Sequence, residues 1–421
     1  MSRRFHYAWV VFGVTVFTIL AAAGIRSTPG VLIKPLEQNF GWSAATISLA
    51  ISIQLLLLGL IGPFAAGFMT RFGVRRVMLF ALSCITLGVG LTSFMSQAWQ
   101  LDLLWGVVVG TGTGSMLSVL AATVASRWFV KRRGLVLGVM TAAGATGQLV
   151  FLPVLASIAV WQGWRYVTAT VAVCAFLAVP IVALLMRDRP SDLGLAPYGG
   201  DRVEPRPAGA GNPFTPALNG LREGLRSPQF LLLAGSFFIC GASTNGLIGT
   251  HLIPASVEHG IPEVEAASML AVIGIFDVAG TTISGWLTDR FDSRWLLFWY
   301  YSLRGLSLLL LPFVLGSSFL GLIVFIVFYG LDWVATVPPT VNLAAENFGK
   351  ERVGIFYGWI FASHQLGAGA AALGGGTLRT WLGDYQITFI TAGLLCLIAS
   401  GLVLRIKPLI AQPRLVAESA A

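Results

Sequence analysis

Charge is the first thing this sequence lacks. Of 421 residues only 11% are Asp, Glu, Lys or Arg, against about 25% in an ordinary soluble domain. With 56% hydrophobic residues and a mean hydropathy of +0.80, a soluble globular enzyme is excluded, and so are a coiled coil and a disordered tail. Cysteine is scarce as well: Cys84, Cys174, Cys240 and Cys396 each stand alone in an apolar stretch, so neither a disulfide framework nor a Cys-x-x-Cys metal pair is indicated. The Walker A pattern, His-Glu-x-x-His and Gly-x-Ser-x-Gly are all missing, which leaves ATP-driven pumping and the commoner hydrolytic chemistries without support. No enzyme activity, cofactor or metal is implied.

What the chain has in quantity is glycine and tryptophan, 49 and 13 residues, suited to helices that pack closely in lipid and anchor at its interfaces. A bilayer core of about 30 Å needs about 20 apolar residues per helix. Twelve such runs occur, at residues 8–34, 43–69, 77–97, 100–126, 134–159, 165–186, 229–255, 263–288, 295–314, 318–346, 353–378 and 386–406. The first is too long for a signal-peptide core and lacks a convincing cleavage site, so it is expected to remain as helix 1. The fold class expected is an all-α integral membrane protein.

A net charge of +9 would suggest nucleic acid in a soluble protein, but the placement of the 27 basic residues points elsewhere. They cluster at the N-terminus, after helices 2, 4, 6, 8 and 10, and in the tail. Only Lys34, Arg165 and Arg379 fall on the other side, with Arg26 and Arg304 inside spans. The positive-inside rule then puts both termini in the cytoplasm of a multi-pass plasma (bacterial inner) membrane protein, in contact with lipid and with no nucleic acid partner. Residues 187–228 hold Pro190, Pro197, Pro205, Pro207, Pro213 and Pro216 and read as a cytoplasmic linker. It divides an N-terminal six-helix bundle, 1–186, from a C-terminal one, 229–406, followed by a tail, 407–421. Residues 218–226, LNGLREGLR, are expected to form a short surface helix.

The two halves repeat. At an offset of 219 residues, AGFMTRFGVRR after helix 2 matches GWLTDRFDSRW after helix 8, aligning Arg71, Phe72 and Arg75 with Arg290, Phe291 and Arg294. These segments resemble the signature of the major facilitator superfamily between helices 2 and 3, Gly-x-x-x-Asp-Arg-x-Gly-Arg-Arg. The second copy keeps Gly285, Asp289, Arg290 and Arg294; the first keeps Arg71, Gly73, Arg75 and Arg76 but has Ala66 for the glycine and Thr70 for the aspartate. The resemblance implies two pseudo-symmetric six-helix bundles that alternate around a central site, with the aspartate latching the cytoplasmic gate through a helix N-terminus and neighbouring arginines. Arg71, Arg75, Asp289, Arg290 and Arg294 are the gating candidates. The stretch WFVKRRGLVLGVMTAAGATG, residues 128–147, is similar to the entry into helix 5 of the monocarboxylate porters; Phe129, Lys131, Arg132, Arg133, Leu135, Gly138, Ala142, Gly144 and Gly147 match, while Val136 and Met140 depart.

Ionisable residues inside a membrane are expensive and are functional candidates by default. Arg26 lies in GIRSTPG of helix 1, and a guanidinium there would hold a carboxylate bidentately; the alternative is an arginine reaching up to the outer headgroups. Asp277 lies in GIFDVAGTTISG of helix 8, where monocarboxylate porters carry an arginine one turn on and this chain has Thr281. It either pairs with Arg304 of helix 9 or carries a proton. Asp332 precedes Pro338 and Pro339, which break helix 10 and free backbone groups around a cavity; the alternative is an outer-end residue wetted by solvent. His251 and His364 are candidates to bind substrate or titrate near neutral pH, with Asn245, Thr244 and Gln54 completing a polar lining.

The expected function is therefore secondary transport, by alternating access, of a small organic monoanion, in the first instance a monocarboxylate, moved with a proton by a monomer. Arg26, Asn245, His251, Asp332 and His364 are the candidate substrate ligands and Asp277 the candidate proton carrier. The rival reading is export of an apolar or cationic compound by proton antiport, with Asp277 and Asp332 facing the cation.

Overall fold

In a computed structural model the protein is described over residues 6–116, 119–203, 212, 214–349 and 352–407; the tail beyond residue 407 lies outside that description. Twelve helices follow one another: α1 Ala8–Phe40, α2 Ala44–Phe72, α3 Val74–Thr92, α4 Ala98–Trp128, α5 Arg133–Gln162, α6 Trp164–Leu185, α7 Pro228–Glu258, α8 Glu263–Thr288, α9 Ser293–Val314, α10 Phe319–Phe348, α11 Val353–Leu382 and α12 Gln386–Leu404. Among the described residues nine of them are long and apolar enough to cross a membrane by length and composition, and α1, α5 and α11 are 33, 30 and 30 residues long. The expected all-α, twelve-helix architecture is the one observed, each predicted span overlapping one helix. Helix α1 runs six residues further than expected, through Pro29 and Pro35, and ends only at Gly41, whose left-handed φ of 68° lets its N–H cap Glu37 O.

The bundles meet along two seams, α2 against α11 and α5 against α8, and α1 touches α7. Helix approach is set by small residues. A methyl group added at Gly241 of α7 would collide with the His364 carbonyl, and one at Gly367 of α11 with the Phe238 carbonyl, so these two helices are in backbone contact, as helix pairs in lipid prefer. At the end away from the basic loops, called here the far end, Gly30 lies so near α7 that a methyl group on it would stand 3.2 Å from Gly249 O. Among the described residues three helices are irregular. Helix α4 widens to a π-helix over Asp102–Val109 and α7 over Ala242–Ile248, and α10 is interrupted by a turn, residues 333–336, just before Pro338 and Pro339.

The described parts of the segment between the bundles are structured. Tyr198 N–H donates to Trp128 O and Tyr198 O accepts from Val130 N–H, docking the segment on the N-terminal half. The expected surface helix is present at Phe214–Gly224, four residues earlier than its sequence suggested, and it lies across the basic ends of α2 and α11. Phe214 packs on Phe64 and Phe68, Trp359 Nε1 donates to Ala217 O at 2.8 Å, and Glu223 pairs with Arg352.

Candidate functional site

A cavity of about 900 Å³ lies between the bundles. Its walls come from α1, α2, α4, α5, α7, α8, α10 and α11 and extend to Gly138 and Gly285, near the basic ends of α5 and α8. The far end is shut. There Glu258 at the end of α7 accepts from Lys34 of α1 at 2.5 Å and from Arg379 of α11 at 2.8 Å, and Thr380 Oγ1 accepts from Ala45 N–H at 3.2 Å.

The polar lining is mostly hydroxyl, from Thr113, Thr244, Thr250, Thr281, Thr282 and Thr336, with Gln54 and Asn245. Gln54 is held by Trp105, whose Nε1 donates to Oε1 at 2.8 Å. Phe237, Trp333 and Phe361 supply flat apolar surface, and His364 lies between Phe237 and Phe361, 4.8 and 5.6 Å between ring centres. Asp277 is the one carboxylate among the described lining residues, and no lysine or arginine is among them.

The break in α10 explains the buried charges. The turn at residues 333–336 breaks the helical ladder and Pro338 and Pro339 cannot donate back into it, and in a bilayer the backbone groups so left must find other partners. Side chains from α8 and α9 supply them. Asp277 Oδ1 accepts from Val334 N–H at 2.9 Å and from Thr281 Oγ1 at 2.9 Å. Ser284 Oγ donates to Ala335 O at 2.6 Å. Arg304 donates through Nη2 to Asp332 O at 2.5 Å and Trp333 O at 3.1 Å, and through Nε to Asp332 Oδ2 at 2.6 Å. Its third nitrogen lies 2.8 Å from Cys240 Sγ on α7.

Two expectations are thereby corrected. Arg304 pairs with Asp332 and not with Asp277, because the guanidinium is drawn to the carbonyls of the α10 turn where Asp332 stands. Asp332 is not a wetted outer-end residue and does not line the cavity: it is 4% exposed, halfway along α10, and turned toward α9. His251 is also away from the lining. It is fully buried, its Nε2 sits 2.8 Å from Ala372 O and its ring lies against Tyr385, so it joins α7 to α11. Asn245, His364 and Asp277 do face one cavity. Arg26 falls in α1 one turn before Pro29, a lining residue; its side chain is outside the described residues.

The gating candidates sit at the basic end. Arg75 N–H donates to Asp188 Oδ1 at 2.8 Å and its guanidinium to Ala183 O. In the second half Arg294 N–H donates to Asp292 Oδ1 at 2.9 Å, and its guanidinium to the Asp292 carboxylate and, at 3.3 Å, to Ile406 O. Equivalent helices thus begin on a carboxylate in both halves. Asp292 is adjacent in sequence, while Asp188 arrives from beyond α6. The Arg294 hydrogen bond holds the Asp292 carboxyl below its ordinary range. Thr70, in place of the signature aspartate, accepts from Arg127 at 3.2 Å and donates to Ala66 O at 2.9 Å. Asp289, Arg71 and Arg290 are exposed, the Arg290 guanidinium lying 4.1 Å from the centre of the Trp286 ring.

Two helical bundles around a central cavity, tied together at one end by the Lys34–Glu258 ion pair, define a membrane carrier. The sequence model described as Major Facilitator Superfamily matches residues 15–276 and 244–419, and the chain belongs to that family: it is a transporter and not an enzyme. It is 25% identical over 372 residues to the Uncharacterized MFS-type transporter YcxA of Bacillus subtilis (strain 168), covering 86% of this chain and 87% of that one. It is 26% identical over 403 residues to Monocarboxylate transporter 13 of Rattus norvegicus, covering 94% and 88%. Among solved structures it matches the xylose transporter XylE from E. coli, in a partially occluded inward open conformation, with a TM-score of 0.71 at 16% identity over 96% of this chain and 98% of that one. That likeness is one of fold.

Proposed function

We propose that the protein moves a small organic monoanion, a monocarboxylate, together with a proton, and that the conformation described is the one open to the cytoplasm. The basic loops give the orientation through the positive-inside rule, with both termini cytoplasmic in a plasma (bacterial inner) membrane. Similarity to proteins named monocarboxylate transporters supports the substrate class. The observation that carries proton coupling is the place of Asp277, which faces the cavity and also caps the broken turn of α10. Protonation there removes the negative charge that Val334 N–H and Thr281 now support, so proton occupancy and the set of α10 are linked through one carboxylate. Arg26 completes the reading as the cation proposed for the substrate carboxylate, one turn before Pro29, a lining residue, in α1. The reading takes the transporter to be a monomer, with Asn245 and His364, which both line the cavity, as further ligands.

A second reading is favoured by the balance of the described lining, one carboxylate and no lysine or arginine: export of an apolar or cationic compound by proton antiport. The two are separated by uptake of a panel of labelled monocarboxylates into proteoliposomes with and without an inward proton gradient. Accumulation of an acid that follows the gradient is expected. No gradient-dependent uptake of any acid, with gradient-driven movement of an apolar cation, would overturn the first reading for the second.

A further inference from the structure

A second hollow, of about 620 Å³, lies on the outside of the N-terminal bundle, between α2, α3 and α4 at the basic end. Five phenylalanines, Phe64, Phe68, Phe72, Phe80 and Phe214, dominate its wall. Ser115 Oγ is engaged by its own helix, donating to Thr111 O at 2.8 Å, and the surface of the hollow is almost wholly apolar. On α2 the lining runs from Leu60 to Phe72, about 18 Å of helix at 1.5 Å per residue. One leaflet of a bilayer core is about 15 Å deep, so the groove matches a chain lying along the helix. At its lip stand cations. Arg76 is part of the lining, and the Arg71 guanidinium lies 5.7 Å from the centre of the Phe72 ring; both arginines are exposed. Arg75 between them is already taken by Ala183 O.

We propose that this groove is a binding site for an anionic phospholipid, with one acyl chain along Phe64, Phe68 and Phe80 and the phosphate at Arg71 and Arg76. An apolar channel inside the bilayer takes a hydrocarbon chain without needing any polar partner. The paired guanidinium groups at the headgroup level select negative charge, in the manner of basic clusters beside transmembrane helices. Phe214, which covers the groove by packing on Phe64 and Phe68, is also the first residue of the linker helix that Trp359 and Arg352 tie to α11. A bound chain therefore buttresses the element that lies across both bundles.

Native mass spectrometry of the full chain, released from micelles holding equal phosphatidylglycerol and phosphatidylethanolamine, tests the site. A monomer retaining one phosphatidylglycerol, at least tenfold more than phosphatidylethanolamine, is expected. The double variant Arg71→Gln, Arg76→Gln should lose that preference, while Leu60→Trp, which fills the apolar end and leaves both arginines, should lower phosphatidylglycerol retention severalfold. Equal retention of the two lipids by the unaltered protein would overturn the proposal, as would an unchanged preference in the double variant. Retention of a free fatty acid, or a dimer in place of the lipid-bound monomer, would reassign the groove and reject a phospholipid.

Discussion

The carboxylate of Asp277 on α8 accepts the backbone N–H of Val334 on α10 at 2.9 Å, so the one acidic side chain of the described cavity lining also secures the turn at which α10 breaks. Asparagine keeps an oxygen for that bond but cannot take up a proton. Asp277→Asn is therefore expected to preserve counterflow exchange of substrate while abolishing accumulation driven by a proton gradient. Asp277→Ala, which leaves Val334 N–H without its partner, should impair both. Normal accumulation by Asp277→Asn, measured in proteoliposomes, would make Asp277 structural.

The Arg304–Asp332 pair makes the opposite prediction. Breaking a buried ion pair by removing one partner costs about 3–5 kcal/mol, because the remaining charge is stranded. Asp332→Asn should thus lower the thermal unfolding midpoint in detergent strongly. Substrate affinity of the folded fraction should stay within about twofold, since Asp332 faces α9 and not the cavity. A large loss of affinity at unchanged thermal stability would return Asp332 to the substrate site.

Uneven loop motifs lead to a third test. Thr70 is already satisfied by Arg127 and Ala66 O, whereas Asp289 is an exposed carboxylate at the end of α8. Asp289→Asn is expected to slow transport more than Thr70→Asn at matched protein levels. Equal rates for the two variants would remove the asymmetry.

Arg26 carries the fourth. Arg26→Ala should abolish binding of a carboxylate substrate while leaving the fold intact, and Arg26→Lys should restore only part, because an ammonium cannot reproduce the bidentate geometry of guanidinium. Isothermal titration with the acid identified by uptake reads both. Near-normal affinity in Arg26→Ala would favour the antiport reading.

The helices were legible because each must bury about 20 residues in hydrocarbon, a constraint that acts along the sequence and leaves a run that can be counted. The α10 break was legible for the same kind of reason, since Pro338 and Pro339 stand side by side. The partners that satisfy the break were not. Asp277, Ser284 and Arg304 meet residues 332–335 from other helices, and the choice between Asp277 and Asp332 as the partner of Arg304 depends on how α9 is rotated against α10, which no local pattern encodes. Glu258 was missed for another reason. At the end of a span an acidic residue looks like an ordinary boundary, and only the packing of α1 and α11 beside it gives it Lys34 and Arg379.

Those three residues support the last prediction. Of the two ion pairs Glu258 makes, the one with Lys34 joins the bundles, whereas the one with Arg379 stays within the C-terminal bundle. Opening the far end must break the first and can keep the second. All three side chains are half-buried, and an ion pair with access to solvent is worth up to about 1 kcal/mol, which corresponds to about a fivefold change in the ratio of two conformations. Lys34→Met is expected to shift the protein by about that factor toward the state open at the far end. The shift is read as a longer distance between fluorophores placed on the α1–α2 and α7–α8 connections. Glu258→Gln should act similarly, and Arg379→Met should shift the distribution much less. Raising the salt concentration should move the unaltered protein in the same direction as Lys34→Met and leave that variant nearly unmoved, since the screened interaction is already gone. An Arg379→Met shift as large as that of Lys34→Met would show that the charge balance of the cluster, and not the bond between the bundles, holds the far end closed.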